Sequence, residues 1–194
     1  MAVNAIIARG LLPFMIGQGL ARIFQIIVIV VIVRRWGKGL ISIGISRPTI
    51  PGGLSKGFLW SLGFGIATGF VFGILFLFGV DVLKLFQTSL PLSRISIFLF
   101  LCVGVLIAPI AEEIFFRGIL YGFFRRFGVA PALMISTLIF VLLHLVRQGI
   151  PLTQIVGGLL FAVAYEVEKN LFVPIVIHCL GNLAIFSLSL IAQI

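Results

Sequence analysis

Charge is what this sequence has least of. Only five of its 194 residues are acidic, and Asp, Glu, Lys and Arg together make up 10%. A soluble domain carries about a quarter. A water-soluble fold of this size could not cover its surface with so few charges, so the bilayer is the solvent for most of the chain. An apolar content of 61% and a mean hydropathy of +1.32 agree with that. The 14 Lys and Arg residues leave a net charge of +9. They sit between apolar runs and form no patch, which argues against nucleic-acid binding and matches the demands of membrane topology. Cysteine is also scarce. Cys102 and Cys179 both stand inside apolar runs as small hydrophobes, which leaves no basis for a disulfide framework. No repeat, low-complexity tract or soluble domain is visible.

What is present is a series of apolar runs, and they predict an all-α polytopic bundle of about six spans. Gly10 to Val33 is apolar apart from Arg22 and ends in the basic, aromatic anchor Arg34, Arg35, Trp36 and Lys38. No small-residue cleavage site follows it, so it reads as a retained helix and not as a removed signal peptide. Residues 37–56, with their glycines and prolines, read as a loop or a surface-lying segment. Gly57 to Val80 carries no charge and is long enough to cross. Ser61, Gly65, Gly69 and Gly73 put a small-residue stripe on one of its faces, suited to close helix packing. Residues 81–94 form a polar connection. Ile95 to about Phe124 is the next helix, kinked at Pro109, closed by Arg125 and Arg126 and capped by Gly128. Pro131 opens a helix to about Val146, Pro151 one ending near Tyr165, and Asn170 to Ile194 supplies the last span. Residues 1–94 thus form an N-terminal membrane region, and 95–194 a core of four helices that holds the cavity.

The basic residues set the orientation. Arg34, Arg35, Lys38, Arg47 and Lys56 share one loop, and Arg125, Arg126 and Lys169 fall on the same side if every helix crosses. The positive-inside rule makes that side cytoplasmic and both termini external. Lys84 and Arg94 in the 81–94 connection run against this pattern.

Charges at bilayer depth need a reason. Three clusters stand out: Glu112-Glu113 with Arg117, Phe140 with His144, and His178 with Asn182. These are the two histidines of the chain, each in an apolar helix. Glu113 and Arg117, at i and i+4, share a helix face and can pair. Glu112 points about 100° away and is free for another task. At about 1.5 Å per residue, Glu112 lies roughly 20 Å from Arg125, His144 roughly 21 Å from Ala130, and Asn182 roughly 18 Å from Asn170. Three helices therefore bring Glu, His, and His with Asn to one level. Taken singly, Glu113–Arg117 reads as a structural ion pair and each histidine as a satisfied core side chain. Together, in this order and at this depth, they form a set that can hydrolyse an amide. A desolvated carboxylate can act as general base toward water, one histidine can share that water, and a second histidine with an asparagine amide can donate to an oxyanion. The other chemistry these residues allow is a catalytic zinc site of Glu112, His144 and His178. The H-E-x-x-H helix of many zinc proteases is absent. Glu166 and Glu168, beside Lys169, read as a solvated helix end.

The patterns E-E-x-x-x-R, F-x-x-x-H and H-x-x-x-N, in this order on successive apolar helices, resemble the signature of the CPBP intramembrane proteases. That family includes the type II CAAX prenyl endopeptidases and the bacteriocin-processing or self-immunity proteins. The resemblance covers about Ile95 to Ile194 and includes the flanking Phe116-Arg117-Gly118. It implies that Glu112 and His144 activate water, that His178 and Asn182 form the oxyanion hole, and that Glu113, Arg117 and Phe140 support the site. It allows both a metal-free and a zinc-dependent enzyme, and Asn182 suits the metal-free one. The chain is short beside eukaryotic CAAX enzymes, which points to a prokaryotic cell-membrane protein acting on another membrane-associated peptide or protein. A non-catalytic immunity factor, assembly factor or subunit of a larger membrane complex, docking through the Gly65/Gly69/Gly73 face, is the competing expectation. A proton-linked transporter ranks behind both, since no inverted repeat is visible.

Overall fold

A computed structural model describes residues 2–82, 93–144 and 151–191 of the chain; Lys84, Val146 and Ile194 lie outside them. The described residues form six helical runs: α1 (Ala2–Arg35), α2 (Ile50–Leu77), α3 (Arg94–Phe127), α4 (Val129–Leu143), α5 (Leu152–Glu168) and α6 (Phe172–Ile191). Four have spans long and apolar enough to cross a bilayer: Leu12–Arg35, Leu40–Leu77, Arg94–Phe127 and Phe172–Leu190. The chain is therefore an integral membrane protein, an all-helical polytopic bundle of about six spans.

Several boundaries differ from expectation for identifiable reasons. α2 begins at Ile50, seven residues before Gly57, because Pro51 suits a first helical turn. Short 3-10 turns at Leu40–Ile43 and Arg47–Thr49 lead into it. Gly53 and Gly57 belong inside this helix, where they let α6 approach. A Cβ on Gly53 would lie 2.6 Å from the Asn170 amide, and one on Gly57 would lie 2.6 Å from Val176. At Gly65, Gly69 and Gly73 a Cβ would meet nothing within 4 Å. Close packing within the chain therefore uses the glycines at the start of α2, and the stripe further along faces away from the bundle.

α3 is not uniform. It is α-helical over Arg94–Leu101, π-helical over Cys102–Ile107, α-helical over Ala108–Glu113, and π-helical again over Ile114–Tyr121. Such wide turns cluster at functional sites. Pro109, expected to kink this helix, sits just after the first π segment. A 3-10 turn at Arg125–Phe127 and Gly128 at φ 116° end the run.

α1 packs on α3, α3 on α4, α5 and α6, α4 on α5, and α6 on both α2 and α5. Lipid tails are as apolar as the side chains, so contact between helices depends on close approach. Ala111, Ala132, Ala162 and Ala164 are fully buried at these crossings. At the basic end the expected loops do meet. The Leu171 N–H donates to Gly44 O at 3.0 Å, and Asn170 Oδ1 caps α6 by accepting from Phe172 N at 3.0 Å. Glu166 and Glu168 are engaged there as well: Glu168 holds Lys56 and the Trp60 indole, and Glu166 holds Arg125 and Lys169. They tie helix ends together where sequence reading expected only a solvated terminus.

Candidate active site

The geometry starts with two adjacent carboxylates on α3. Glu113 faces Arg117, one turn on. Arg117 Nη1 donates to Glu113 Oε1 at 3.2 Å, and its Nε lies 3.1 Å from Oε2. Both side chains are fully buried. Arg117 Nη2 donates to Gly158 O on α5 at 2.9 Å. The rings of Phe140, Phe161 and Phe116 surround the guanidinium, with their centroids 5.0, 5.3 and 5.7 Å from its central carbon. A buried cation held this way has its charge matched and both of its Nη nitrogens donating.

Glu113 has a second partner. Its Oε1 lies 2.7 Å from His178 Nδ1 on α6. An ionised carboxylate only accepts, so the proton in that bond belongs to His178 Nδ1. In the neutral ring Nε2 then carries the lone pair. His144 is arranged in the same way. Its Nδ1 lies 2.7 Å from Phe140 O, a backbone acceptor, so Nδ1 carries a proton and Nε2 holds the lone pair when the ring is neutral. His144 stands at the C-terminal cap of α4, not within the longer helix expected to run to Val146.

Both Nε2 atoms face one oxygen. Glu112 Oε2 lies 3.6 Å from His144 Nε2 and 3.8 Å from His178 Nε2. The other oxygen of Glu112 is occupied by α1, where Arg22 Nη2 donates to Oε1 at 3.1 Å and Arg22 Nη1 to Gln25 at 2.9 Å. Aromatic rings hold the imidazoles. Phe161 stacks on His178 with centroids 4.5 Å apart and planes 19° from parallel. Phe140 lies 4.3 Å from His144 and packs edge-on against Phe116. Nearly all of the site is closed off, with Glu112 and His178 buried and His144 half-buried.

Of the residues singled out from sequence, the fold brings Glu112, Glu113, Arg117, Phe140, His144 and His178 into one cluster. Asn182 reaches elsewhere: its Nδ2 donates to Gly104 O on α3 at 2.8 Å. Among the described residues no three His, Cys, Asp or Glu side chains stand in the arrangement of a metal site. Two members of the cluster were missed. Arg22 had a signal, being the one charge in an otherwise apolar run. Phe161 had none, since an aromatic residue in an apolar helix looks like any other packing residue.

The arrangement can carry out acid–base chemistry. It offers one carboxylate oxygen, two ring nitrogens directed at it, and a guanidinium that neutralises the other oxygen. Residues 93–184 match the family described as type II CAAX prenyl endopeptidase Rce1-like. No curated protein and no solved structure matches the chain. The matched stretch contains every polar residue of the cluster except Arg22, and over it the chain is similar to this family of membrane proteases.

Proposed function

We propose that the protein is an intramembrane endopeptidase that hydrolyses a peptide bond of a membrane-associated peptide or protein, in a prokaryotic cell membrane. The observation that carries this reading is the convergence of His144 Nε2 and His178 Nε2 on Glu112 Oε2, with each Nδ1 already engaged.

The roles follow from the donors and acceptors. Arg22 occupies Oε1 of Glu112, which leaves Oε2 as the basic oxygen. A substrate water donates one hydrogen to Oε2 and the other to the His144 lone pair. As the water oxygen attacks the carbonyl carbon, Oε2 takes the first proton and the carbonyl oxygen becomes an oxyanion. Glu112 then delivers that proton to the leaving nitrogen, the C–N bond breaks, and the carboxylate is regenerated. His178 donates to the oxyanion through Nε2 in its imidazolium form, which the Glu113 carboxylate supports at Nδ1. Asn182, whose Nδ2 is engaged by Gly104 O, takes no part at that oxygen. Glu113, Arg117 and Phe140 are positioning residues.

Wild type, Glu112→Gln and His178→Ala are compared in native membranes by mass spectrometry of peptide termini. Termini that vanish in both variants establish the protease and its substrate class. Identical termini in all three, at equal expression, overturn the reading. The outward-facing stripe at Gly65, Gly69 and Gly73 favours a second reading, a non-catalytic subunit of a membrane complex. That reading expects a phenotype lost in Gly69→Leu and kept in Glu112→Gln.

A further inference from the structure

Backbone carbonyls surrounded by hydrocarbon need donors. Those of α3 run short at one place. In the first π segment the Ala108 N–H donates to Val103 O, the i→i−5 bond of the wide turn. Ala108 would serve Gly104 O in an ordinary α-helix, and residue 109 would serve it if the wide turn continued. Residue 109 is proline and has no N–H. Gly104 O therefore lacks a backbone donor in either register, and Asn182 on α6 meets it at 2.8 Å. Gly104 is the residue type that permits this approach. A Cβ there would lie 2.9 Å from the Phe186 ring, and Phe186 follows Asn182 by one turn on the same face of α6.

We infer that Asn182 is a positioning residue. Its amide replaces the N–H that Pro109 lacks, pins the π segment of α3 to α6, and so sets the rotation of the Ala108–Glu113 segment. The functional half of this inference rests on Glu112 being the base. Neighbouring helical residues differ by about 100° in direction. If the wide turn tightened by one residue, everything after it would rotate by that angle. Glu112 would then leave the two histidines.

A double-mutant cycle tests this with purified full-length protein in detergent, using Asn182→Ala, Pro109→Ala and the pair. Thermal unfolding is read by tryptophan fluorescence. Cleavage is read as kcat and KM on the substrate identified by terminus mapping. Asn182→Ala leaves Gly104 O unpaired and lowers the unfolding midpoint by about 3–6 °C. It lowers kcat at least about tenfold with little change in KM. Pro109→Ala returns an N–H at i+5 from Gly104, so the pair recovers most of both losses. An Asn182→Ala effect of equal size with and without Pro109→Ala overturns the inference. Recovery of stability without recovery of kcat also overturns it, by reducing Asn182 to a purely structural residue. If Pro109→Ala folds poorly, Gly104→Ala takes its place. It breaks the same bond, so combined with Asn182→Ala it does no more harm than the worse single change, and additive losses refute the inference. The stability cycle needs no substrate. A wild type that cleaves nothing therefore defeats the protease reading, while the bond between α6 and α3 is still decided by the midpoints.

Discussion

The chain holds two carboxylate clusters, one in the middle of the bundle and one at its basic end. At the basic end, Glu166 accepts from the Tyr121 hydroxyl at 2.6 Å, the Arg125 guanidinium and the Lys169 ammonium. The Arg125 and Lys169 side chains are 42% and 60% exposed. In the middle, Glu113 and Arg117 are both 0% exposed. The chemical groups are the same, but the cost of losing a partner is not. Water can take over for a missing partner at the rim, and salt screens what remains. Around Arg117 phenylalanine rings stand where water would be needed as a substitute. The rim cluster ties helix ends together, whereas the central one makes each group's state depend on the others.

That difference can be broken open by substitution. The largest effect is expected for Arg117→Ala, which removes the buried cation paired with Glu113, leaves that carboxylate to His178 alone and costs about 3–5 kcal/mol. In this membrane protein it reads out as loss of the folded, monodisperse peak on size-exclusion chromatography. Glu112→Gln keeps shape and hydrogen-bonding capacity but removes the base. It should lower kcat by about 10²- to 10⁴-fold while the unfolding midpoint stays near that of wild type. If it destabilised the protein as much as Arg117→Ala does, the two adjacent carboxylates would have the same role and the division between them would fail. Arg22→Gln removes the counter-charge from Oε1, and a loss of about tenfold in kcat is expected, partly restored by Arg22→Lys. Glu166→Gln at the rim should cost less than about 1 kcal/mol and leave kcat unchanged, as thermal unfolding and a cleavage assay would show. Gly69→Leu, which adds bulk where nothing lies within 4 Å, should leave the midpoint unaltered. A marked shift would mean that a second chain covers this face in the detergent-solubilised protein.

The legibility of the site followed the range of each interaction. Glu113 with Arg117 is a one-turn relationship, so spacing alone separated the carboxylate paired within α3 from its neighbour, whose partner Arg22 lies on another helix. His144 with Phe140 is also local, though the bond runs from the ring to the Phe140 carbonyl and not through the side chain alone. Contacts between helices were less accessible. Nothing in the spacing of α6 shows that Asn182 turns to Gly104. The missing donor at Pro109 was visible, but its consequence depends on the register of the turn before it, and π turns leave no period in the sequence. The start of α2 was misjudged because glycines and prolines were read as loop formers. Pro51 occupies a first turn and Gly53 a helix crossing, where those residues are favoured. The stripe at Gly65, Gly69 and Gly73 has the spacing of a packing face, but spacing does not say whether the partner lies in the same chain.

Arg22 lies in α1, outside the segment 93–184 that defines the family resemblance. Every motif residue would survive in a fragment starting at residue 93, yet its Glu112 would face the cavity without a cation on Oε1. Motif content and chemical competence are thus separable in this chain. A graft of the C-terminal half onto another membrane scaffold would transfer the pattern intact and leave the base uncompensated, unless the new first helix happened to present a guanidinium at the same height.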